Sequence, residues 1–501
     1  MNFINSLKSI YNGFSSLKAI LTNMYILNSI TLEQLEDEAY MKTLKINILN
    51  SGCIGIKFCQ WYISHTSSNY DTKSIKMCDF FNDIFEQCPY HSLDHTRKIL
   101  EADLSSSLEN MFDMSFFKPI ASGSIGQIYY TRMKSDNNMN GNENKEDTYI
   151  EVAVKVKHPN IDETIADYVP YLKLFKLLQK NTYLRRRFKI YFDIQDFIDN
   201  INLQTNFENE VVHANIFREN FKDNKFIVIP EILAYSKNII ISRYESGLEI
   251  NDLSPYQKYK TIINLTCFIY QCIVIDDFIH GDFHIKNWRV RQIPGSIADF
   301  QLIIYDCGIC IKTGNLELNR NFWNTFTNGN TLGFINIIKT MFIGNLTDEN
   351  YKKIDELITQ IYDYLKYNKL NISYIIGMLT DFLSKHNDIM LNKILLDMLI
   401  LTTLYENLFR KQHLLTYDSS VEEESIDIDD VIKCQHTEII NFCKVNSNGK
   451  TNIYPKLLEY IEFLYSQNKS KQETKKLFSS IRNNIIKFKP IMDGDNMTDI
   501  D

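Results

Sequence analysis

The order of hydrophobic periodicities predicts an α+β chain of two lobes, a small β-rich one followed by a helix-rich one, with helical extensions at both ends. Three observations carry this. Apolar residues recur at helical spacing early on, in "LEQLEDEAYMKTLKINIL" and "FFNDIFEQC". Short β-branched and aromatic runs follow, "KPIASGSIGQIYYTRMK" and "YIEVAVKVKHP", as two adjacent strands require. Helical spacing then returns and dominates the remainder, broken by the strand-like "KFIVIPEIL", "NIIISRYESG" and "IADFQLIIYDCGICI".

Taken in order, residues 1–110 read as the N-terminal helical extension, 111–250 as the β-rich lobe, 251–415 as the helical lobe, and 416–501 as an acidic loop, further helices and a tail. Between the first two strands lies "SDNNMNGNENKED" at 135–147, which buries nothing and reads as a solvated hairpin insertion. A helix ending near residue 279 accounts for the apolar run Ile262 to Ile275. Asn264, Thr266 and Gln271 inside that run make it a buried core helix and not a membrane span. "DSSVEEESIDIDD" reads as a solvated loop and "DGDNMTDID" as a frayed end.

Composition narrows the function. The chain has 501 residues, 44% hydrophobic and 23% charged, as a protein with a sizeable core has. A net charge of −8 argues against nucleic acid as a partner. The 10 cysteines lack paired metal spacing, and a chain of this size needs no disulfide staples, so a reducing, intracellular compartment is expected. Cys307 and Cys310 form a lone C-x-x-C, read as coincidence. The first 32 residues carry Lys8 and Lys18 but no acid and no arginine, so an ordinary amphipathic helix is favoured there over a targeting or membrane-surface segment.

Phosphoryl transfer from ATP needs a loop over the phosphates, a cation on them, metal ligands, and a group beside the acceptor hydroxyl. Candidates for all four occur in order. In "ASGSIGQI", Gly123, Gly126 and Ile128 take the second glycine, third glycine and valine positions of a kinase G-x-G-x-x-G-x-V loop, with Ala121 at the first glycine. Ser122, Ser124 and Gln127 complete that candidate nucleotide loop. "VAVK" ends in Lys155, as the third strand of a kinase does, and a lysine between valines requires an anionic partner. Glu210 is the helical candidate to hold it, and Glu208 the local competitor. "HGDFHIKN" at 280–287 sets His280, Asp282 and Asn287 at the offsets of H-R-D-x-x-x-x-N, with Gly281 at the arginine. Asp306-Cys-Gly308 stands where kinases have D-F-G. Asp282 is the group expected beside the acceptor, and Asn287 with Asp306 the oxygen donors for Mg²⁺. Each piece has a plain alternative as a turn or loop residue. The shared order argues against coincidence.

Two families compete for this pattern. "HGDFH" followed by Asn287 resembles the aminoglycoside and choline kinase group. Other motifs resemble the UbiB/ADCK (aarF-domain) atypical kinases, whose loop reads A-A-A-S-I-G-Q-V, whose strand reads V-A-V-K-V-Q-x-P, and whose catalytic loop reads H-A-D-P-H-P-G-N. "ASGSIGQI", "VAVKVKHP" and His280, Asp282, His284 and Asn287 correspond to these. "IKFCQ" resembles that family's K-x-G-Q motif through Lys57 and Gln60, with Cys59 at the glycine. "QTNFENEVVHAN" resembles its E-x-D-Y-x-x-E-A-x-N helix, which aligns Glu210 with the lysine-pairing glutamate and puts Gln204 and Asn206 where the family has Glu and Asp.

This resemblance spans residues 45 to 315. It implies a kinase-like fold, ATP and Mg²⁺ as cofactors, membrane association at the periphery, and an acceptor tied to ubiquinone or another isoprenoid lipid. It also implies that Lys57, deprived of a charged partner at Gln204, holds its N-terminal plug less firmly. No A-P-E segment follows Asp306, which argues against a conventional peptide acceptor. A nucleotide-binding pseudokinase scaffold is the third expectation, kept open by Gln204 and Asn206.

Overall fold

The computed structural model describes residues between Lys18 and Met398, apart from 19–20, 24, 28, 67–76, 78–79, 81–87, 135–148, 179–193, 284, 297–298, 328–330, 345, 368–371, 387–388 and 393–397. The polar insertion at 135–147, the acidic stretch, the tail and most of the first 32 residues therefore lie outside the described residues, as does His284.

Helices α1 (Leu32–Glu36), α2 (Glu38–Leu49) and α3 (Gly52–Thr66) open the described chain. Thr31 and Gln34 form a reciprocal capping box on α1, and the Asp37 carboxylate accepts from the Ala39 and Tyr40 amides to start α2. Helices α4 (Leu93–Leu104) and α5 (Leu108–Met111) lead into strands β1 (Lys118–Ser122), β2 (Gly126–Lys134) and β3 (Tyr149–Lys157). Helices α6 (Ile161–Leu178), α7 (Ile194–Thr205) and α8 (Phe207–Asn220) follow, then strands β4 (Ile227–Val228), β5 (Ile232–Tyr235) and β6 (Ile239–Arg243). The first lobe's sheet is antiparallel throughout in the order β1-β2-β3-β6-β5.

Alternation along β3 decides what the lobe buries and what it displays. Val152, Val154 and Val156 turn inward, fully buried against Leu100, Leu108, Phe112 and Tyr129. Lys155 falls on the opposite face, paired across the sheet with Ile128 and Ile240. On that side a second core joins the N-terminal helices, through Met41, Leu44, Ile48, Ile54 and Phe58, to Ile161, Phe197, Phe207 and Val211. The N-terminal extension is thus packed into the first lobe.

The second lobe is helical: α9 (Pro255–Tyr270), α10 (Leu316–Thr327), α11 (Thr331–Thr340), α12 (Asp348–Tyr367) and α13 (Ile372–Lys385). Its strands are short, with β7 (Ile279–His280) on β10 (Cys310–Ile311), β11 (Phe342–Gly344) on β12 (Ile389–Leu391), and β8 (Trp288–Gln292) on β9 (Phe300–Ile304). β4 leaves the first lobe to pair in parallel with β9. The arrangement is a two-lobed protein-kinase-like fold.

The helix expected to end near residue 279 differs. α9 stops at Tyr270, a π-helical turn covers Gln271–Asp276, and β7 begins at Ile279. The cause is at Asp277, which is buried and takes left-handed backbone with φ of 49°. Its carboxylate accepts from the Thr313 amide at 3.0 Å, the Thr313 hydroxyl at 2.6 Å, Gly314 N–H at 2.8 Å and Asn319 Nδ2 at 2.8 Å. Four donors make a buried carboxylate tolerable, and together they set the point from which the next loop departs.

Candidate active site

The fold brings together side chains from segments far apart in sequence. Lys155 Nζ donates to Glu210 at 2.9 Å (Oε1) and 2.7 Å (Oε2), and to Asp306 Oδ2 at 3.3 Å. Its side chain and that of Glu210 are 17% and 12% exposed, whereas Asp306 retains 47%. The acid is therefore the open edge of the triad. The competitor Glu208 is exposed and acts on Lys237, away from this site. Their two-residue offset on the helix decides between them, since Glu210 shares the buried side of α8 with Ala214 and Phe217.

Burial drives the Glu210 carboxyl up to about 7, against the pull of Lys155. Burial also works against the charge on Lys155, but Asp306 and Glu210 outweigh it and raise the ammonium above its ordinary value. For Asp306, half-exposed as it is, the partial loss of hydration is outweighed by Lys155 and then Lys57, and the carboxyl is held below its usual range. Lys57 on α3 therefore reaches the field of the site. Gln204 lies there too: a Cβ added to Gly308 would sit 3.8 Å from Gln204 Cγ and 3.8 Å from Glu210 Oε2. Gln60 is half-buried on α3 three residues beyond Lys57.

Asp306 adopts left-handed backbone, with φ of 45°. Its Oδ1 accepts from Gly308 N–H at 3.2 Å, which leaves Oδ2 toward Lys155 and the cleft. A non-glycine residue in this conformation is costly and is kept where the surroundings over-determine it. The surroundings here include His213, whose Nδ1 lies 2.9 Å from the Cys307 carbonyl and ties α8 to this turn.

The loop 280–287 is fixed from inside. Phe283 is buried and stacks with Phe268 and with Trp288, ring centroids 5.1 and 6.3 Å away. His280 is fully buried, its Nε2 3.1 Å from the Tyr305 carbonyl, while its Nδ1 accepts from Asp282 N–H at 3.2 Å. The carbonyl can only accept, so the ring proton is on Nε2. Asn287 Nδ2 donates to the Asp282 carbonyl at 2.8 Å, which fixes the amide's orientation and frees Oδ1 as an oxygen donor. Lys286 is held by Glu249 at 3.0 Å, which also takes Arg289 at 2.9 Å. Gly281 replaces the kinase arginine for a steric reason. A Cβ there would lie 2.7 Å from Ile309 Cγ2, and its N–H donates to the Ile309 carbonyl at 2.9 Å.

The phosphate-loop candidates divide. Ala121 is on the Lys155 face, in register with Ile128. Gly123 and Gly126 close the turn through an N–H to carbonyl bond of 2.9 Å. Gly126 has no room for a side chain, since a Cβ would meet the Val156 carbonyl oxygen at 2.9 Å. The side chains of Ser122, Ser124 and Gln127 are buried, and Gln127 bonds to Tyr129 and to the His91 amide. Side-chain contact with a nucleotide is thus not what Gln127 supplies. Asp277 and His213 also escaped the sequence reading, because neither belongs to a spacing that spells chemistry.

A match to the ABC1 atypical kinase-like domain extends over residues 83–334. Among curated proteins, the chain is similar to a probable serine/threonine-protein kinase, abkC, of Dictyostelium discoideum, 26% identical over 263 residues, 51% of this chain and 35% of that one. It is similar also to a probable protein kinase UbiB of Aliivibrio fischeri, 25% identical over 245 residues, 47% of this chain and 41% of that one. The chain thus spans less than half the length of either relative. Of solved structures, the complex of Rv3197 with erythromycin from Mycobacterium tuberculosis aligns with 14% identity and a TM-score of 0.37, over 60% of this chain and 81% of that one. No helix among the described residues is long and apolar enough to cross a membrane. A match over half its length places the chain in the ABC1 family of atypical kinase-like domains.

Proposed function

We propose that the chain binds ATP with Mg²⁺ in the cleft between its lobes and transfers or hydrolyses the terminal phosphoryl group. The observation that carries this is the Lys155 ammonium seated between Glu210 and Asp306, with the Asp282–Asn287 loop fixed beside them through the Tyr305 amide, which donates to the Asn287 carbonyl at 2.8 Å. Lys155 is placed to hold phosphate oxygens, Glu210 to hold Lys155, and Asp282 to orient the proton of an acceptor hydroxyl or water. Asn287 Oδ1 and the exposed Asp306 carboxylate are hard oxygen donors that suit Mg²⁺. When bound, that ion neutralises charge on the phosphates. The loop from Ala121 to Gly126 offers close backbone approach to a triphosphate.

For the acceptor, the family resemblance supports an isoprenoid-lipid-linked molecule, with ATP hydrolysis coupled to lipid handling as the form without a hydroxyl acceptor. A nucleotide-binding scaffold is the second reading, favoured by Gln204 beside Gly308 where the resemblance expects a carboxylate. Thermal-shift titration with ATP, with and without Mg²⁺, tests the site. Metal-dependent stabilisation is expected in the unsubstituted chain, lost in Asp306→Asn and kept in Asp282→Asn. ADP release is expected to vanish in Asp282→Asn. Stabilisation unchanged by Asp306→Asn sinks the metal assignment, and absent ADP release in the unsubstituted chain selects the scaffold.

A further inference from the structure

Beneath the phosphate loop lie three histidines that the reading above does not use: His91 just ahead of α4, His95 on its first turn, and His158 just beyond β3. His91 Nδ1 is 2.7 Å from His158 Nδ1, so a single ring proton lies between them and no cation fits there. The remaining contacts settle which ring owns it. His158 Nε2 is 2.9 Å from the Gly123 carbonyl, which only accepts, so His158 is protonated on Nε2 and bare on Nδ1. His91 therefore donates from Nδ1, and its Nε2 accepts from the Thr96 hydroxyl at 2.8 Å. That hydroxyl accepts from the Tyr129 hydroxyl at 2.7 Å, which accepts from Gln127 Nε2 at 2.7 Å. Gln127 Oε1 accepts from the His91 backbone N–H at 2.8 Å. Donors and acceptors close a ring from His91 back to His91, with one branch that ends on Gly123.

We propose that His158, oriented by His91 and the buried ring behind it, is a positioning residue for the phosphate loop, its Nε2–H holding the Gly123 carbonyl and with it the shape of the turn that receives a triphosphate. This rests on the nucleotide reading of the loop. Burial, His158 and His95 push His91 down to about 3, and burial lowers His158 as well. His95 faces His91 edge-on at 4.8 Å and bonds to the Lys157 carbonyl, Tyr129 acts through Thr96, and the Lys157 ammonium turns away to Asp162. Both shifts favour the neutral rings that the contacts require. An imidazolium at His158 would point N–H at N–H across the 2.7 Å contact.

The test uses the full chain labelled with ¹⁵N-histidine. Long-range ¹H–¹⁵N spectra at pH 7.5 and 6.0, assigned with His91→Asn and His158→Gln, are expected to show Nδ1–H on His91 and Nε2–H on His158 at both values. The opposite tautomers, or an imidazolium at either ring, overturn the proposal. Without nucleotide, amide exchange over residues 121–127 is expected to speed up in His158→Phe and to stay native in His158→Gln, whose amide N–H reaches the same carbonyl. MgATP affinity is expected to fall about three- to tenfold in His158→Phe, the worth of one hydrogen bond, and to stay within about twofold in His158→Gln. Unchanged exchange and affinity in both variants refutes the positioning role even where Asp306→Asn abolishes binding. Faster exchange in His158→Phe, with no MgATP binding by the unsubstituted chain, instead refutes the nucleotide reading and leaves the clamp in place. Should His158→Phe fail to fold, the tautomers and His158→Gln decide.

Discussion

Replacing Glu210 by glutamine removes one ionisation and leaves the shape of the site. In the folded chain burial raises this carboxyl from 4.5 to about 7, so the fold binds its proton more tightly than the unfolded chain does. The sign follows: this contribution to stability is complete below about pH 4.5 and drains as the pH rises through about 7. At about 1.4 kcal/mol for each pH unit between the two values, the contribution comes to about 3 kcal/mol, most of it lost between pH 5 and 8. Asp306 does not share that window, because its carboxyl is held low and its contribution is lost only in acid. The glutamine keeps an oxygen for Lys155, and Asp306 at 3.3 Å remains to balance the charge. Urea unfolding of both chains at pH 5, 6, 7 and 8 measures the effect. The stability difference is expected to move by about 2–3 kcal/mol in favour of the variant as the pH rises. A difference constant across that range would refute the assignment of a raised carboxyl to Glu210.

Further outcomes are expected elsewhere. Asp277→Ala strands two backbone amides and the Asn319 side chain in the interior, and is expected to cost about 2–4 kcal/mol in urea unfolding. Gly281→Ala drives a Cβ to 2.7 Å from Ile309 Cγ2, and is expected to cost about 1–3 kcal/mol and to slow ADP release by shifting Asp282. Lys155→Met removes the cation from the site, and calorimetric titration is expected to find MgATP affinity reduced at least tenfold. Val154→Ala, at a fully buried position, is expected to lower stability by about 1–3 kcal/mol without changing MgATP affinity.

The pieces legible in the sequence are those whose placement follows from local spacing. Lys155 at the end of an alternating apolar run had to leave the core on one face of a strand, because alternation is a property of the strand itself. The offsets of His280, Asp282 and Asn287, and of Asp306 two residues before Gly308, are likewise readable, since a tight loop places its side chains by residue count. The ABC1 match and the two-lobed architecture agree with that reading. Glu210 was separable from Glu208 only as the better of two, because helical spacing needs the buried side of α8 to be known.

What the chain order left open was settled by packing between segments remote in sequence. Asp277 looked like one more acid at the end of an apolar run, and its role depends on donors from 313 to 319 that arrive across the lobe. Gln127 matched a nucleotide motif, yet its amide is used up by Tyr129 and His91. The tautomers of His91 and His158 depend on partners up to 67 residues apart. Hydrogen bonds and buried charges are decided by which groups exclude water together, and that is a fact about the folded chain, whereas periodicity and loop spacing are facts about the backbone alone.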